Sequence, residues 1–242
     1  MRVTRLHVDR ALAVGARLDL PADAANYLVR VLRLDEGDRC VLFNGDGHDY
    51  EARLVAAGKR GVEVEVLSAA AVGSESPLRI TLLQGIARGE KMDLVLQKAT
   101  ELGVAAFLPV SSERSEVRLD EARAGKRLAH WHGIVASACG QCGRARVPTV
   151  AAPSSLDSAL RQLPPGPRFL LDPAAADSIA TVAAFEGDCV LAVGPEGGWS
   201  QRDRGQLAAA GFRGLRLGPR ILRTETAGLA AIAALQARFG DL

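Results

Sequence analysis

Two glycine-rich stretches in the last quarter of the chain decide how the sequence is interpreted. Residues 193–200 read Val-Gly-Pro-Glu-Gly-Gly-Trp-Ser, and residues 217–227 read Leu-Gly-Pro-Arg-Ile-Leu-Arg-Thr-Glu-Thr-Ala. Each stretch follows an apolar run typical of a strand and precedes a helical pattern. Open α/β sheets bind ligands at the carboxyl ends of strands, where glycines let the backbone approach a ligand closely. The pair therefore predicts one backbone-lined ligand pocket, and two plain strand-to-helix turns are the alternative.

The pattern around these stretches is that of a parallel α/β domain. Predicted strands lie at residues 80–85, 104–110, 168–172, 189–193 and 215–217, and predicted helices at 90–102, 127–138, 200–210 and 227–239. Ser200 with Asp203 predicts a capping box at a helix start, and Thr224 predicts a cap for the last helix. Such alternation is typical of a mostly parallel sheet covered by helices.

The beginning of the chain has a different, strand-rich pattern. Short apolar runs within residues 39–67 are separated by turn signals such as Asn44-Gly45, and residues 22–34 form the only helical patch. Strands at this spacing predict a small β-barrel, and residues 69–77 have the composition of a linker. The predicted domains of this α/β protein are residues 1–70 and residues 75–242.

Composition and charge exclude several classes of protein. The chain of 242 residues is 48% hydrophobic and 24% charged, as in a soluble enzyme, and its net charge of +2 does not by itself indicate a nucleic-acid partner. No apolar run reaches the roughly 18 residues that a membrane span needs, and no signal-type core follows the N-terminus, which predicts a cytoplasmic protein. Cys139 and Cys142 lack a second pair with metal spacing, so we interpret them as reduced thiols and predict no metal site.

The two glycine-rich stretches together resemble the donor-binding knot of the SPOUT class of RNA methyltransferases. Further stretches, in order along nearly the whole chain, resemble one family of that class, the bacterial 16S rRNA (uracil-N3)-methyltransferases. These stretches are Val31-Leu32-Arg33, Gly37-Asp38, Asn44 to Gly47, Lys91, Gln97-Lys98, Glu101 to Val104, Pro109, Glu113 to Ser115, Trp131 and Gln141 to Arg144. One departure is that Ser137 and Gly140 stand where the family usually carries acidic residues, so no acid–base role is expected there.

This resemblance implies a fold, a reaction and partners. The fold is an RNA-binding PUA-like β-barrel followed by a trefoil-knotted α/β methyltransferase domain. The reaction moves a methyl group from S-adenosylmethionine to N3 of a specific uridine in 16S rRNA, within the small ribosomal subunit, and the enzyme is a homodimer with its active site at the subunit interface. A related SPOUT methyltransferase acting on tRNA or a ribose 2′-OH, and an RNA-binding module without activity, are the alternatives.

The residues that the resemblance places around the donor lie in the two glycine-rich stretches and at the end of the strand at 168–172. They are Leu171, Val193, Gly194, Pro195, Glu196, Gly197, Leu217, Gly218, Ile221, Leu222, Thr224, Thr226 and Ala227. Most of them would act through the backbone, because the set is rich in glycine and aliphatic side chains.

Candidate catalytic residues follow from the chemistry of the acceptor. The N3–H of uridine is a weak acid, and a cation beside the base carbonyls favours its anion. Arg223 is the leading candidate for that cation and Arg144 the alternative, while Glu225 is a candidate to accept the proton or to orient the arginine. A carboxylate at a helix N-terminus is also favourable in its own right, which is the structural alternative for Glu225.

Five cations are candidate contacts to RNA phosphates. They are Arg33, Lys91, Lys98, Arg114 and Arg220. For Lys98 the structural alternative is a helical pair with Glu101, three residues further along.

Overall fold

The computed structural model describes residues 4–58, 61–115 and 121–242, with the backbone only for 121–123. The first three residues of the N-terminus lie outside this description. The chain forms two compact units. The first contains residues up to Glu75 together with Ala136–Val147, and the second contains Ser76–Val135 and Pro148–Leu242. The sequence pattern did not indicate that a later segment belongs to the first unit.

The first unit contains a five-stranded, mostly antiparallel sheet. Its strands are β1 (Arg5–His7), β2 (Arg17–Asp19), β3 (Arg39–Phe43), β4 (His48–Gly58) and β5 (Gly61–Ala71). The strand order is β1-β3-β4-β5-β2, and only the β1–β3 pair is parallel. Val62, Val64 and Val66 of β5 are buried and their neighbours are less so, because one face of the sheet packs on the core. The prediction of a separate β unit is confirmed, and closure into a barrel stays a prediction.

The helical patch of the first unit is shorter and less regular than predicted. Helix α1 covers Ala22–Asn26 and continues as one π-helical turn, Tyr27–Val31. Arg33 then adopts a positive φ of 57°, which few residues other than glycine do, and this conformation ends the helical segment. Tyr27 and Val31 leave 43% and 64% of their surface exposed, so this turn presents apolar side chains to solvent.

The second unit is built on a seven-stranded sheet in which all pairs are parallel. Its strands are β6 (Arg79–Gly85), β7 (Val104–Ser111), β8 (Thr149–Val150), β9 (Ser154–Ser155), β10 (Arg168–Leu171), β11 (Asp188–Val193) and β12 (Arg213–Leu215). The order is β12-β10-β11-β6-β7-β8, and β9 also pairs with β7. β6 and β11 at the centre are almost continuously buried, as expected for strands covered on both faces. The predicted α/β class is confirmed.

Five α-helices and one short 3-10 turn accompany this sheet in the described residues. They are α2 (Glu90–Glu101), α3 (Glu121–Cys142), α4 (Leu156–Leu160), the 3-10 turn (Ile179–Thr181), α5 (Gln201–Ala209) and α6 (Thr224–Phe239). The predicted capping box of Ser200 and Asp203 is confirmed at the start of α5. The last strand ends two residues earlier than predicted, at Leu215, and this leaves a long loop before α6. Among the described residues, no helix has the length and apolar character needed to cross a bilayer.

Candidate functional site

A cavity of about 400 Å³ opens where β10, β11 and β12 end. Its wall is made by the residues that directly follow these three strands, because parallel strands bring their carboxyl ends to one edge of the sheet. Much of the wall is apolar, from Leu171, Val193, Leu215, Leu217 and Leu222. A concave, largely apolar site of this size with a few polar groups is typical of a small-molecule pocket.

The structure brings together most of the residues predicted to bind the donor. Those on the wall are Leu171, Val193, Gly194, Pro195, Glu196, Leu217, Gly218, Ile221, Leu222, Thr224 and Ala227. Gly197 and Thr226 are not on the wall. Gly197 instead packs against Arg114, which donates a hydrogen bond of 3.3 Å to its carbonyl, and a Cβ on Gly197 would lie 3.1 Å from the Cβ of Arg114.

The first loop, residues 194–200, is tied to the start of α2 by the carboxylate of Glu196. Its Oε1 accepts hydrogen bonds from the backbone N–H of Arg88 at 3.0 Å and from Lys91 Nζ at 3.1 Å. Burial acts to raise the pKa of Glu196, but these hydrogen bonds outweigh it and hold the pKa below its ordinary value. Lys91, predicted to contact RNA, therefore lies on the cavity wall in an ion pair.

The first loop also touches the end of β6. A Cβ on Gly85 would lie 2.4 Å from Cδ of Pro195 and 2.5 Å from its nitrogen, so the backbone passes too close for any side chain. Within the loop, Gly198 adopts a φ of 65°, which favours glycine. The glycines of this stretch thus serve close backbone packing at the cavity as well as ligand access.

Thr224 joins the first loop to the start of α6. Its hydroxyl donates to the carbonyl oxygen of Gly194 at 2.5 Å and accepts from Nε2 of Gln84 at 3.1 Å. The predicted cap at Thr224 is wrong, since Arg223 occupies the N-cap position, and its side chain forms no capping hydrogen bond within the described structure. The hydroxyl of Thr224 forms tertiary hydrogen bonds instead, with Gly194 and Gln84.

The second loop, residues 216–223, carries two arginines that line the cavity. Arg220 and Arg223 both line the cavity, and neither forms an ion pair or a side-chain hydrogen bond within the described part of the chain. Ile221 between them is 84% exposed. Glu225 also lines the cavity, and its Oε2 is buried without a hydrogen-bond partner among the described residues. This side of the cavity therefore offers positive charge and one uncommitted carboxylate oxygen.

Three polar or aromatic residues on the wall were not predicted. Asp172 forms an ion pair with Arg204 and accepts a hydrogen bond of 3.0 Å from the backbone N–H of Ala174. Trp199 is 3% exposed, and its indole N–H has no partner among the described residues. Asp172 directly follows Leu171, which was predicted to bind S-adenosylmethionine, so its position at a strand end could have identified it from the sequence. No feature of the sequence indicated that Arg204 on α5 lines the cavity.

Several predicted residues are not among those that line the cavity. Arg144 belongs to the first unit, is 5% exposed, and pairs with Glu75 through Nη2 at 2.5 Å and Nε at 3.1 Å. Lys98 pairs with Glu101, three residues further along α2, at 2.8 Å. Arg33 is exposed on the first unit. None of these three side chains is on the cavity wall.

The cysteines are free thiols in the described structure. Burial raises the pKa of Cys139 to about 12, so this thiol is protonated and unreactive at neutral pH, while Cys142 is half-buried. Among the described residues, no group of three or more histidine, cysteine or acidic side chains is placed to hold a metal ion.

Comparison with known proteins gives matches over both units. A model of the RNA methyltransferase domain matches residues 74–236, and a model of the RNA methyltransferase PUA domain matches residues 20–67. A ribosomal RNA small subunit methyltransferase E from Buchnera aphidicola subsp. Schizaphis graminum is 33% identical over 242 residues, covering 100% of this chain and 98% of that protein. The protein of the same name from Bacillus subtilis is 30% identical over 225 residues, with 89% and 88% covered.

Two solved structures are similar over their whole length. A putative methyltransferase from Legionella pneumophila, in complex with the bound cofactor S-adenosylmethionine, matches with a TM-score of 0.96 at 37% identity, and 100% of each chain is covered. A ribosomal RNA small subunit methyltransferase E from Neisseria gonorrhoeae, bound to S-adenosylmethionine, matches with a TM-score of 0.92 at 42% identity and the same coverage. The resemblance found in the sequence is thereby confirmed, and the chain belongs to the family of RNA methyltransferases of the SPOUT class that includes the ribosomal RNA small subunit methyltransferases E.

Proposed function

We propose that this protein transfers a methyl group from S-adenosylmethionine to N3 of a uridine in 16S rRNA. The observation that carries the proposal is the cavity where the two glycine-rich loops meet, with Arg223 on its wall and no partner for this arginine in the described part of the chain. Relatives over the full length of the chain are named for methylation of small subunit ribosomal RNA, and two similar structures hold S-adenosylmethionine.

The residues on the wall fit this donor. Leu171, Leu217 and Leu222 supply apolar surface for a purine ring, while the close-packed glycine loop offers backbone groups to its polar edge. The ion pairs Asp172–Arg204 and Lys91–Glu196 supply both signs of charge for the ribose and amino-acid parts. When bound, the donor supplies an electrophilic methyl group on its sulfonium, so the main task of the chain is to position the acceptor.

The acceptor nitrogen must lose its proton, and the second loop provides the charge for this. Arg223 has no partner within the described residues, so its whole charge is available to stabilise a uridine anion. Glu225 lies in the first turn of α6, and its Oε2 has no hydrogen-bond partner among the residues that the structure describes. We assign to Glu225 either the acceptance of the N3 proton or the orientation of Arg223. Arg144, the alternative cation, is buried against Glu75 and we therefore place it second.

The cations proposed from the sequence to contact RNA differ in whether their side chains already form internal ion pairs or hydrogen bonds. Arg220 lies on the cavity wall without a partner among the described residues, Lys91 lies there in its ion pair with Glu196, and Arg33 is exposed on the PUA-like unit. Arg114 donates to the first loop, and Lys98 is committed to Glu101, which makes it the weakest of these candidates.

Four features remain proposals that rest on the family resemblance. They are the trefoil knot, a homodimer with the active site at the subunit interface, the small ribosomal subunit as the setting of the reaction, and a cytoplasmic location. Sedimentation of the purified protein tests the dimer directly, because a monomer at micromolar concentration contradicts it.

Modified-nucleoside analysis tests the substrate. 16S rRNA from a strain that lacks this gene should contain less 3-methyluridine than rRNA from its parent, and the purified protein with S-adenosylmethionine should restore it. An unchanged 3-methyluridine level contradicts the proposal. A change in a tRNA nucleoside or in a 2′-O-methylated nucleoside instead would favour one of the related methyltransferases.

A further inference from the structure

A buried hydrogen-bond chain links the end of β6 to both cavity loops. Gln84 is fully buried, and its Nε2 donates to the carbonyl of Gly85 at 2.8 Å and to Oγ1 of Thr224 at 3.1 Å. Thr224, itself 8% exposed, donates onward to the carbonyl of Gly194 at 2.5 Å. Three segments that are distant in sequence are thus joined through one hydroxyl group.

The direction of this chain is fixed by its two ends. A backbone carbonyl only accepts, so the amide nitrogen of Gln84 must face Gly85, and the same nitrogen then donates to Thr224. The hydroxyl of Thr224 has a single proton, which therefore goes to the carbonyl of Gly194. Such buried hydrogen bonds hold their geometry because a misplaced donor or acceptor is costly in a low-dielectric interior. The other amide atom of Gln84, Oε1, is buried without a hydrogen-bond partner among the described residues.

The hydrogen-bond chain runs from the cavity wall into the core behind it. Gly194 and Thr224 line the cavity, and Gln84 does not. Thr224 follows Arg223 directly, so the position of the hydroxyl also sets where the backbone of that arginine lies relative to the first loop. Gln84 can therefore act on a bound donor only through the residues that it holds.

We propose that Gln84 and Thr224 are positioning residues that hold the two cavity loops at one separation, with the hydrogen bonds running from Gln84 through Thr224 to Gly194. This inference rests on the proposed function, because it takes the cavity as the donor site. Thr224 then acts on the cavity through the backbone of Gly194. Gln84 acts through Thr224, although it does not itself line the cavity.

Substitution of Thr224 by valine and by serine tests the hydroxyl. Thr224→Val keeps the shape and leaves the Gly194 carbonyl without its donor, so calorimetry should show S-adenosylmethionine binding weakened by about 10- to 100-fold. Thr224→Ser keeps the hydroxyl and should bind within about threefold of the unmodified protein. In turnover assays of Thr224→Val, the KM for the donor should rise while the KM for RNA changes by less than about twofold.

Thr100→Val is the matched control. Thr100 is also fully buried and donates to a backbone carbonyl, that of Leu96, at 2.7 Å, but it lies in α2 away from the cavity wall. It should lose a comparable amount of stability in thermal unfolding and keep its donor affinity within about threefold.

Gln84→Met tests the amide end of the hydrogen-bond chain. Methionine keeps the length and roughly the volume of the side chain but donates no hydrogen bond, so the Gly85 carbonyl and the Thr224 hydroxyl lose their shared donor, and donor binding should weaken by at least about tenfold. If Thr224→Val does not fold, this variant provides the test of the positioning role instead. A donor affinity within about threefold of that of the unmodified protein overturns the inference.

The outcomes separate the inference from the function on which it rests. If the unmodified protein binds no S-adenosylmethionine, the proposed function is contradicted. If it binds, but Thr224→Val and Thr100→Val have equal affinities, the positioning role is overturned and the proposed function stands.

Discussion

The two loops that form the cavity are held in opposite ways. The first loop, residues 194–200, is fixed at several points: Glu196 bonds to α2, Pro195 touches the backbone of Gly85, and Ser200 closes a capping box with Asp203. The second loop, residues 216–223, has Arg220, Ile221 and Arg223 exposed, and both arginines lack partners within the described structure.

This difference matches two different tasks. A loop that binds a small donor gains affinity by being ordered before the donor arrives, since less conformational entropy is then lost on binding. Cations that must reach a large, charged substrate are better left unpaired, because any internal ion pair would have to be broken first. The comparison indicates that the first loop, with the leucines of the second, determines donor affinity, whereas the cations of the second loop determine turnover. Each of the following predictions can break this division.

Arg223→Ala should have the largest effect. Turnover should fall by at least about 100-fold because the uridine anion loses its cation, while donor affinity in calorimetry stays within about threefold. Arg202→Ala, which removes an exposed arginine of the same unit that is not on the cavity wall, is the control for net charge. Turnover of Arg223→Ala within tenfold of the unmodified protein would show that this arginine is not the key group.

Gly85→Ala should have the next largest effect, on the first loop. The added Cβ would lie 2.4 Å from Pro195, so the loop or the strand must move, and donor binding should weaken by at least about tenfold. Calorimetry with S-adenosylmethionine measures this.

Gly228→Ala is the matched control for that substitution. Its Cβ would meet the side chain of Val193 at 3.6 Å and Oε1 of Gln84 at 3.8 Å, both ordinary contacts, and alanine in a helix interior is favoured over glycine by roughly 0.5–1 kcal/mol. This variant should therefore be slightly more stable in urea unfolding and bind the donor normally. Equal loss of binding in the two alanine variants would contradict the close-packing argument.

Glu196→Gln should have the smallest effect, and one that depends on pH. Because the folded state holds the pKa of Glu196 below its ordinary value of 4.5, the carboxylate stabilises the fold above that value and loses this contribution as the pH falls through the lowered pKa. At pH 7 the variant should be less stable by about 0.5 kcal/mol, given its partial exposure. In urea unfolding, the difference should shrink as the pH falls below 4.5 and disappear once the pH is below the lowered pKa of Glu196.

Glu36→Gln, at an exposed position without a described partner, controls for the change in net charge. A difference for Glu196→Gln that is the same at pH 7 and at acid pH would show that the carboxylate does not hold the first loop.

The sequence predicted the parts of the fold that have strong local patterns. α2 buries Met92, Val95 and Ala99, which recur at helical spacing, and β11 is one continuous apolar run. β8 and β9 were missed because each has two residues, and their structure comes from pairing with β7 rather than from any local periodicity.

The same limit applies to the candidate site. Glycine-rich strand ends are local signals, so the two loops were found, and the family resemblance assigned them a ligand. Thr224 is 140 residues from Gln84 and 30 residues from Gly194 in the sequence. Contacts over such separations leave no pattern in the local sequence. Arg204 was missed for the same reason, since only the fold places it beside Asp172.

The order of strands in the parallel sheet has a consequence for biosynthesis. β6 pairs with β11, and the side chains of Arg79 and Asp188 that meet across this pair are 109 residues apart. While the chain is being made, the apolar β6 therefore lacks one of its neighbours until β11 has left the ribosome, and contacts of such long range also form slowly. An enzyme proposed to modify ribosomes would thus depend, during its own synthesis, on protection of that strand from aggregation.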